Sequence, residues 1–416
     1  MPKDNSGFFK EKKIWSEVKD ELLGCYLAPY FNKILYMGNP ILYVDCFAGK
    51  GRFDDGKPGS PLIALDCLSR SIASYRNTHR NGSVIPQVLM KFIELNHAGD
   101  LKQNLTDRPV SNYEIIDGRF EDNIIQLLQT ATKEYKNLNI FLYVDPYGVK
   151  ALNAELFNSL PSVFNTAELL INLNSFGFIR EACRVMKVSF REKENEVFND
   201  LVEYDPSRID SFEEINAIAG GFYWQNIIHD YNNGAIDCYE AEKEFSRQYK
   251  LFLNQKYQYV LDMPIRLKER QHPKYRMVHA TNHPDGCLLM ADNIAKRTER
   301  LVIEIQRSGQ LSLIQQNADN EVVDDCTLMT KVSEMLSTTV NYTRLNRFLA
   351  NFYNKYGVLC DLPRLSSGRG GSILKSIYKS GMIDVIRNPA TTNKGKPSTF
   401  WQDDHGKTLE LRKRKD

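Results

Sequence analysis

The sequence predicts an α/β protein: a doubly wound, mostly parallel sheet flanked by helices, with a helical insertion and a smaller basic module behind it. Short apolar, β-prone runs alternate with helical segments at intervals of roughly 25–50 residues, the pattern of βα units. Two of these runs, 41–44 and 140–144, are followed by an acid and then by small residues or proline. In a doubly wound sheet, ligands bind outside the carboxyl ends of the strands, so these two ends predict the functional site.

The elements of the predicted sheet follow one another from residue 13. Apolar residues at helical spacing predict a first helix over 13–36. The five following strands are predicted at 41–44, 88–94, 113–116, 140–144 and 168–173, and the helices between them at 60–75, 97–105 and 121–134. Ser60-Pro61 suits the start of the second helix, because Ser caps a helix and Pro is tolerated in its first turn.

Beyond the fifth strand the chain changes character. Residues 178–256 are rich in helix formers, which predicts a helical insertion ending in a crossover helix over 238–254. Two strands at 260–267 and 275–280 and a helix over 285–307 complete a first domain of 1–314.

Residues 326–416 are predicted to form a separate basic module after a polar linker at 315–325. The module has 16 Lys and Arg against 7 Asp and Glu, although the net charge of the whole chain is only +2. Its predicted helices are 327–336, 343–356 and 368–380, and its hairpin strands are 382–387 and 398–402. This order is winged-helix-like, and in that fold the third helix enters the major groove. The charge favours nucleic acid as a partner, although a solvated basic face has the same composition.

Composition argues against several classes of protein. No apolar run approaches the ~20 residues of a membrane span, and the first residues lack the plan of a signal peptide, so we expect a cytoplasmic protein without a membrane partner. The eight cysteines are scattered without a Cys-x-x-Cys pair, which disfavours a disulfide framework or a zinc ribbon. His279-x-x-x-His283 has zinc-like spacing, but no second ligand pair lies nearby and no metal is expected.

Acidic residues at successive strand ends predict a nucleotide-like cofactor. Gly49 and Gly51 follow the first strand and allow the backbone to approach a ligand closely. Glu94 ends the next strand and suits ribose hydroxyls, while Asp117 ends the third and suits an adenine amino group. The set fits an adenosine-bearing cofactor, although each acid taken singly also suits a turn or a cap.

The glycine loop is similar to a known motif. No Gly-x-x-x-x-Gly-Lys-Ser/Thr is present, and Asp54 replaces the third glycine of Gly-x-Gly-x-x-Gly, which disfavours a P-loop nucleotidase and a nicotinamide dehydrogenase. Asp45-x-Phe47-x-Gly49-x-Gly51 instead resembles the first motif of class I S-adenosylmethionine-dependent methyltransferases. The resemblance implies S-adenosylmethionine as the cofactor, with Asp45 orienting its amino-acid part.

Asp145-Pro146-Tyr147-Gly148 lies where such enzymes keep their fourth motif. It resembles the Asp-Pro-Pro-Tyr of amino-methyltransferases and the Asp-Pro-Phe-Gly form that occurs in guanine N2-methyltransferases of tRNA. The resemblance implies that Asp145 and a backbone carbonyl hold a target amino group while Tyr147 stacks on a flat base. Such transfer depends on orientation rather than on a protein nucleophile. A simple Asp-Pro turn is the alternative.

A longer set of motifs resembles the three-Cys-motif partner protein family over most of residues 13–300. The motifs are Trp15-x-x-x-Lys19, Asp55-Gly-x-Pro-Gly-Ser-Pro61, Phe92-Ile-Glu94, Asp145-Pro-Tyr-Gly148 and Tyr275-x-x-x-His-Ala-Thr-x-His-Pro-x-Gly286. The resemblance implies a Rossmann-like methyltransferase fold and a partner with three cysteines, reminiscent of radical-SAM proteins. It also implies that His283 lies on the substrate side as a proton acceptor or substrate contact, with helix capping as the alternative. Lys19 and Arg52 suit an anion at the mouth of the cleft, or simply exposure to solvent.

Two functions remain open. The first is an S-adenosylmethionine-dependent methyltransferase that acts on nucleic acid, for example on an amino group of a base, and grips it through 326–416. The second is a nucleic-acid-binding partner protein with little or no catalysis, working with a three-Cys-motif protein. A small-molecule methyltransferase is less favoured because of the basic module.

Overall fold

The chain forms two compact units, residues 1–282 and 283–416. The computed structural model describes residues 10, 12–79, 84–106, 112–191, 209, 211–266, 273–307, 323–368, 371–404 and 406–414. No helix in this described part is long and apolar enough to cross a membrane.

The first unit is built on a seven-stranded sheet. In chain order its strands are β1 Ile41–Asp45, β2 Val88–Glu94, β3 Tyr113–Asp117, β4 Asn139–Val144, β5 Thr166–Leu173, β6 Tyr259–Ile265 and β7 Tyr275–Thr281. They lie in the spatial order β3-β2-β1-β4-β5-β7-β6. The first five strands pair in parallel, whereas β7 runs antiparallel to both β5 and β6. The predicted α/β class with a mostly parallel sheet is therefore confirmed.

The centre of this sheet explains its sequence pattern. Every residue of β1 and of β4 is buried, as expected for parallel strands that are covered on both faces. The register places Asp45 opposite Tyr143, so β1 and β4 end at the same level. The strand order turns outward in opposite directions from this pair, and a crevice forms at such a switch point.

Nine helices of the first unit are described. They are α1 Ile14–Met37, α2 Ser60–Thr78, α3 Ala98–Leu105, α4 Phe120–Glu134, α5 Ala154–Ser159, α6 Ser175–Val185, α7 Phe212–Ala219, α8 Tyr223–Asn232 and α9 Cys238–Leu253. α1 packs along α2, where the Ser71 hydroxyl donates to the Ala28 carbonyl at 3.2 Å. The cap of α2 is Gly59 rather than Ser60, and Pro61 lies in the first turn.

The helical insertion packs on a shared aromatic cluster. Helices α6 to α9 fall in the predicted segment, of which residues 192–208 and 210 lie outside the described part. The Phe178 and Phe245 rings stack with centroids 3.8 Å apart, and the buried Trp224 meets Phe178 edge-on. Trp224 Nε1 donates to Asn216 Oδ1 at 2.8 Å, which satisfies its one polar atom.

A buried ion network joins the insertion to the sheet. The guanidinium of Arg276 on β7 pairs with Glu242 of α9, Nε to Oε1 at 2.7 Å, and with Asp262 of β6, Nη1 to Oδ2 at 2.9 Å. Ser175 Oγ also donates to Glu242 Oε1 at 2.6 Å, and Lys250 pairs with Asp262. The network therefore links α6, α9, β6 and β7, and Arg276 and Lys250 compensate its two carboxylates.

The second unit combines four α-helices and a short π-helix, Pro363–Ser367, with a three-stranded antiparallel sheet. Its described elements are α10 Pro284–Arg307, α11 Asp325–Ser337, β8 Thr343–Arg344, α12 Leu345–Tyr356, α13 Ile373–Lys379, β9 Ile383–Asn388 and β10 Thr408–Lys413. The strand order is β8-β10-β9. Asn346 Nδ2 donates to Asp285 Oδ1 at 2.7 Å, which ties α12 to the first turn of α10.

The predicted returning strand at 398–402 is wrong. The strand that pairs with β9 is β10, which begins at Thr408, beyond the predicted strand. Leu409 and Leu411 are fully buried at a spacing of two residues, with polar residues between them, and this alternation selects β10 as the strand. Residues 398–402 form no strand, although Trp401 within them is buried.

The domain boundaries stay a prediction. Residues 308–322, which include most of the predicted linker at 315–325, lie outside the described part. The compact units meet between Asn282 and His283, so α10 groups with the C-terminal unit rather than with the predicted 1–314 domain.

We expect Arg276→Met to destabilise the first unit by about 3–5 kcal/mol, because it removes the cationic partner of the buried Glu242, while Asp262 keeps Lys250. Glu242 is the more sensitive of the two, since its side chain is only 2% exposed. The free energy of unfolding in urea measures the loss. Arg247→Met is the matched control on α9: Arg247 pairs with Glu244 but is 55% exposed, so its loss should be within about 1 kcal/mol. Equal losses for the two variants would contradict the prediction.

Candidate functional site

A cavity of about 390 Å³ opens above the carboxyl ends of the central strands. Four loop segments line it: 46–53 after β1, 93–97 at the end of β2, 118–121 after β3 and 145–148 after β4. Trp15, Ser16, Lys19 and Asp20 of α1 line it as well. Its volume and its place at the switch point of the sheet are those of a small-molecule site.

The loop after β1 has a conformation that favours glycine. Gly49 and Gly51 have φ values of +60° and +76°, in the left-handed region. A Cβ atom on Gly51 would lie 2.8 Å from Leu101 Cδ1 of α3, so a side chain there would also require Leu101 to shift. The loop is anchored on both sides, because Cys46 N donates to the Tyr143 carbonyl and Ala48 N to the Ile93 carbonyl. Its backbone therefore forms one wall of the cavity.

Glu94 holds two walls of the cavity together. Its Oε2 accepts from Gly49 N at 2.8 Å, and its Oε1 accepts from Asn96 N at 2.9 Å and His97 N at 3.0 Å. A carboxylate has about four acceptor positions, so the donors among the described residues leave one. The predicted contact with a ribose stays a prediction, and the structure adds that Glu94 organises the glycine loop.

Asp45 lies beneath the loop. The residue is fully buried, and its Oδ1 accepts from Phe47 N at 3.3 Å. Burial raises the pKa of this carboxyl to about 7, and the nearby Asp145 and Asp20 add to the increase, against hydrogen bonds from Ser60 and Phe47. Its neighbours Cys46 and Phe47 line the cavity.

The other predicted cofactor residues lie around the same opening. Phe47 packs against Phe120 with ring centroids 5.5 Å apart. Asp117 is exposed at the end of β3, and the cavity wall begins at the next residue, Gly118. Sequence reasoning missed Leu95, an apolar side chain that is 48% exposed in the cavity directly after Glu94. Its position after a strand-ending acid was the available signal.

Asp145 is enclosed by hydrogen-bond donors. Lys19 Nζ lies 2.9 Å from its Oδ1 and 2.8 Å from its Oδ2. Asn172 Nδ2 donates to Oδ1 at 2.6 Å, and the Tyr143 hydroxyl donates to Oδ2 at 3.3 Å. Pro146, Tyr147 and Gly148 follow along the cavity wall, and Tyr147 is 38% exposed.

The alternative that Lys19 faces solvent is wrong. Its side chain is buried, and its ammonium also lies 5.4 Å from the centroid of the Tyr275 ring. Lys19 shares the helical spacing of Leu22, Leu23 and Tyr26, which are all buried. A lysine within an apolar stripe was the signal in the sequence, but its partner lies 126 residues away.

A second lysine–aspartate pair lies on the same side. Asp20 of α1 pairs with Lys12, and both side chains are largely buried. Burial raises the pKa of Asp20 to about 6, Lys12 and Lys19 oppose the increase, and Asp145 adds to it. Three carboxyls therefore lie near the floor of the cavity: the ammonium groups of Lys12 and Lys19 compensate Asp20 and Asp145, whereas burial raises the pKa of Asp45.

His283 belongs to the second unit. Its Nδ1 accepts a hydrogen bond from Asp285 N at 3.2 Å at the start of α10. This bond fits the capping alternative, and the role of His283 toward a substrate stays a prediction.

No protein-family model matches the sequence, and no curated protein matches it. Among solved structures, one similarity is to PKMT2 from Rickettsia typhi, at 10% identity over 58% of this chain and 43% of that chain, with a TM-score of 0.22. The chain thus spans less than half the length of that protein. Another is to loganic acid methyltransferase with SAH, at 8% identity over 74% of this chain and 91% of that chain, with a TM-score of 0.25.

We expect Asp45→Asn to make stability less dependent on pH. The folded pKa of Asp45 is about 7, whereas an unfolded aspartate titrates near about 4. Between these values the folded state holds a proton that the unfolded state has lost, so stability falls as the pH rises from about 4 to about 7. At pH 8 the free energy of unfolding of the variant should therefore exceed that of the wild type by more than about 1 kcal/mol.

Urea unfolding at pH 5 and pH 8 measures this difference. Asp20, with its pKa of about 6, leaves a residual slope in both proteins. Asp54→Asn, at an exposed position of the polar turn, is the control and should follow the wild-type curve. If the wild-type and Asp45→Asn curves run parallel, the carboxyl is not protonated in the folded protein at neutral pH.

Proposed function

We propose that this chain is an S-adenosylmethionine-dependent methyltransferase. The observation that carries the proposal is the contact between Glu94 and Gly49, which holds a glycine loop open to a cavity at the switch point of the sheet. The seven-stranded order with one reversed strand is consistent with a Rossmann-like methyltransferase fold.

The residues at the cavity fit an adenosyl amino acid. The volume of about 390 Å³ is within the usual range for small-molecule sites. Glu94 keeps one acceptor position for a ribose hydroxyl, and Leu95 offers an apolar surface for a flat base. Among the described residues, Asn172 Oδ1 is buried without a hydrogen-bond partner, so it can accept from a bound N–H group. Asp45 would hold the loop that faces the amino-acid part of the cofactor.

The protein's own contribution would be binding and alignment. When bound, S-adenosylmethionine supplies a methyl group activated by a sulfonium. Asp145 and the Pro146 carbonyl would hold the acceptor amino group, and the exposed Tyr147 ring would stack on a planar acceptor. The lone pair of the acceptor is then the nucleophile, so the rate depends on how accurately these groups fix its direction.

We propose further that the acceptor is a base of a nucleic acid, gripped by residues 326–416 in the manner of a winged helix. A turn over 388–398, joined by the bridge between Thr391 and Pro397, carries the exposed Lys394 and Lys396. Lys379 is exposed at the end of α13. The 16 basic against 7 acidic residues of 326–416 support an anionic partner, with the turn contacting backbone phosphates.

We expect Glu94→Gln to weaken binding of S-adenosylmethionine and S-adenosylhomocysteine by about 10- to 100-fold, because the variant loses a charged acceptor and loosens the loop. Isothermal titration calorimetry measures both affinities. Glu114→Gln is the control, since Glu114 lies on β3 and pairs with Lys91 away from the cavity. If the wild type binds neither ligand, the methyltransferase proposal fails. Nucleic-acid binding without cofactor binding would instead favour a partner protein that works with a three-Cys-motif protein.

We expect Lys394→Gln/Lys396→Gln to weaken nucleic-acid binding and to reduce its salt dependence. Each phosphate contact adds about one to the slope of log K against log salt, so the double variant should lower that slope by about two. Fluorescence anisotropy with duplex DNA and structured RNA at several salt concentrations measures it. Lys57→Gln/Lys91→Gln, with the same charge change in the first unit, should behave as the wild type. Binding that ignores salt, or is equal in all three proteins, would remove nucleic acid from the proposal.

A further inference from the structure

The hydrogen-bonding capacity of Asp145 is already used. A carboxylate accepts at about four positions. Described donors supply four contacts: two from Lys19 Nζ, one from Asn172 Nδ2 and one from the Tyr143 hydroxyl. An acceptor amino group therefore cannot add its own hydrogen bond to Asp145 unless one of these donors leaves.

Only one of the three donors is free to move without disturbing the sheet. Tyr143 lies on β4 and Asn172 on β5. Both side chains are buried, and their strands pair with each other in the sheet. The Tyr143 hydroxyl also stays protonated, because burial and the adjacent Asp145 raise its pKa. Lys19 differs, because its ammonium ends a flexible four-carbon stem and can rotate to another partner.

A second carboxylate follows Lys19 directly in its own helix. Asp20 follows Lys19 in α1, lines the same cavity and is buried with Lys12 as its ion-pair partner. The positive charge of Lys19 already helps to lower the pKa of Asp20 against the effect of burial. A displaced ammonium would thus remain beside a negative charge, and the cost of displacing it would be reduced.

We propose that Lys19 is a displaceable counter-ion of Asp145 and sets which acceptors the site admits. In the resting protein it neutralises Asp145. An acceptor can form a hydrogen bond with Asp145 only through a donor group that replaces the ammonium. Lys19 is thus a positioning residue, and the inference rests on the proposed methyltransferase function. It favours an amino or hydroxyl acceptor over a group without a donor, because only an N–H or O–H group can take the place of the lysine.

Three adenosyl ligands separate charge from hydrogen bonding at this position. S-adenosylhomocysteine has a neutral sulfur, and S-adenosylmethionine has a sulfonium that is no N–H donor. Sinefungin has an ammonium on carbon in place of the methylated sulfur, so it is both charged and a donor. Ratios of their dissociation constants report the state of Asp145 without a known acceptor and without any measurement of activity.

Calorimetry with wild type, Lys19→Met and Asp145→Asn is the test. Lys19→Met leaves Asp145 without its counter-ion, so the affinity for S-adenosylmethionine should rise about tenfold relative to that for S-adenosylhomocysteine. The affinity for sinefungin should rise more than that for S-adenosylmethionine, because its ammonium also donates to the Asp145 oxygens that Lys19 has vacated. Asp145→Asn leaves Lys19 without its carboxylate partner, so the affinities for both cationic ligands should fall about tenfold relative to that for S-adenosylhomocysteine. Lys57→Met, which removes an exposed lysine paired with Glu17 of α1, should leave the ratios unchanged.

The outcomes distinguish this inference from the proposed function. If the wild type binds none of the three ligands, the methyltransferase proposal fails, and the inference falls with it. If all three bind but neither variant changes the ratios, the counter-ion role is overturned while the cofactor site stands. If S-adenosylmethionine and sinefungin gain equally in Lys19→Met, the lysine compensates charge but does not compete for hydrogen bonds, and the displacement is overturned. Asp145→Asn keeps the test valid if Lys19→Met does not fold, because its shift has the opposite sign.

Discussion

The pairing of β1 with β4 is the constraint on which the first unit depends. Both strands are buried along their whole length, and their register brings Asp45 opposite Tyr143. The strand order diverges from this pair, so the loops after β1 and β4 lean apart and leave a crevice. The glycine loop and the Asp145 turn occupy the two sides of that crevice because the two strands end at one level.

This geometry creates an electrostatic problem at the floor of the cavity. Asp45 and Asp145 come from the two strand ends, and Asp20 comes from α1, so three carboxyls share a region with little solvent. Burial raises the pKa of Asp45 to about 7, so a proton can take the place of a counter-ion there near neutral pH, whereas Asp20 pairs with Lys12. Asp145 is compensated differently, by the ammonium of Lys19. The carboxyl nearest the predicted transfer position is thus the one with a mobile partner.

In the second unit, a stretch rich in basic residues also forms a buried strand. Arg412 and Lys413 make the C-terminal residues look like a charged tail, yet Leu409 and Leu411 bury the same stretch as the central strand of a sheet. Arg412 contributes to the fold as well, since its guanidinium lies 4.4 Å from the centroid of the Tyr342 ring and pairs with Asp384. Among the described residues, Lys394 and Lys396 between β9 and β10 are exposed, which is why the proposed contact with phosphates lies there.

The sequence by itself determined the order and type of most elements, and it identified the two strand ends around the cavity. Apolar runs and the glycines that follow them are sufficient to predict these strands and loops. A strand covered on both faces must be apolar throughout, and a tight loop after it needs glycine at positive φ. The tertiary structure alone decided that β7 runs in reverse, that β10 rather than 398–402 completes the hairpin, and that Lys19 meets Asp145. Each of these depends on contacts between residues far apart in the chain. Local patterns record that a lysine lies on a buried helix face, but only packing shows which charge made that burial possible.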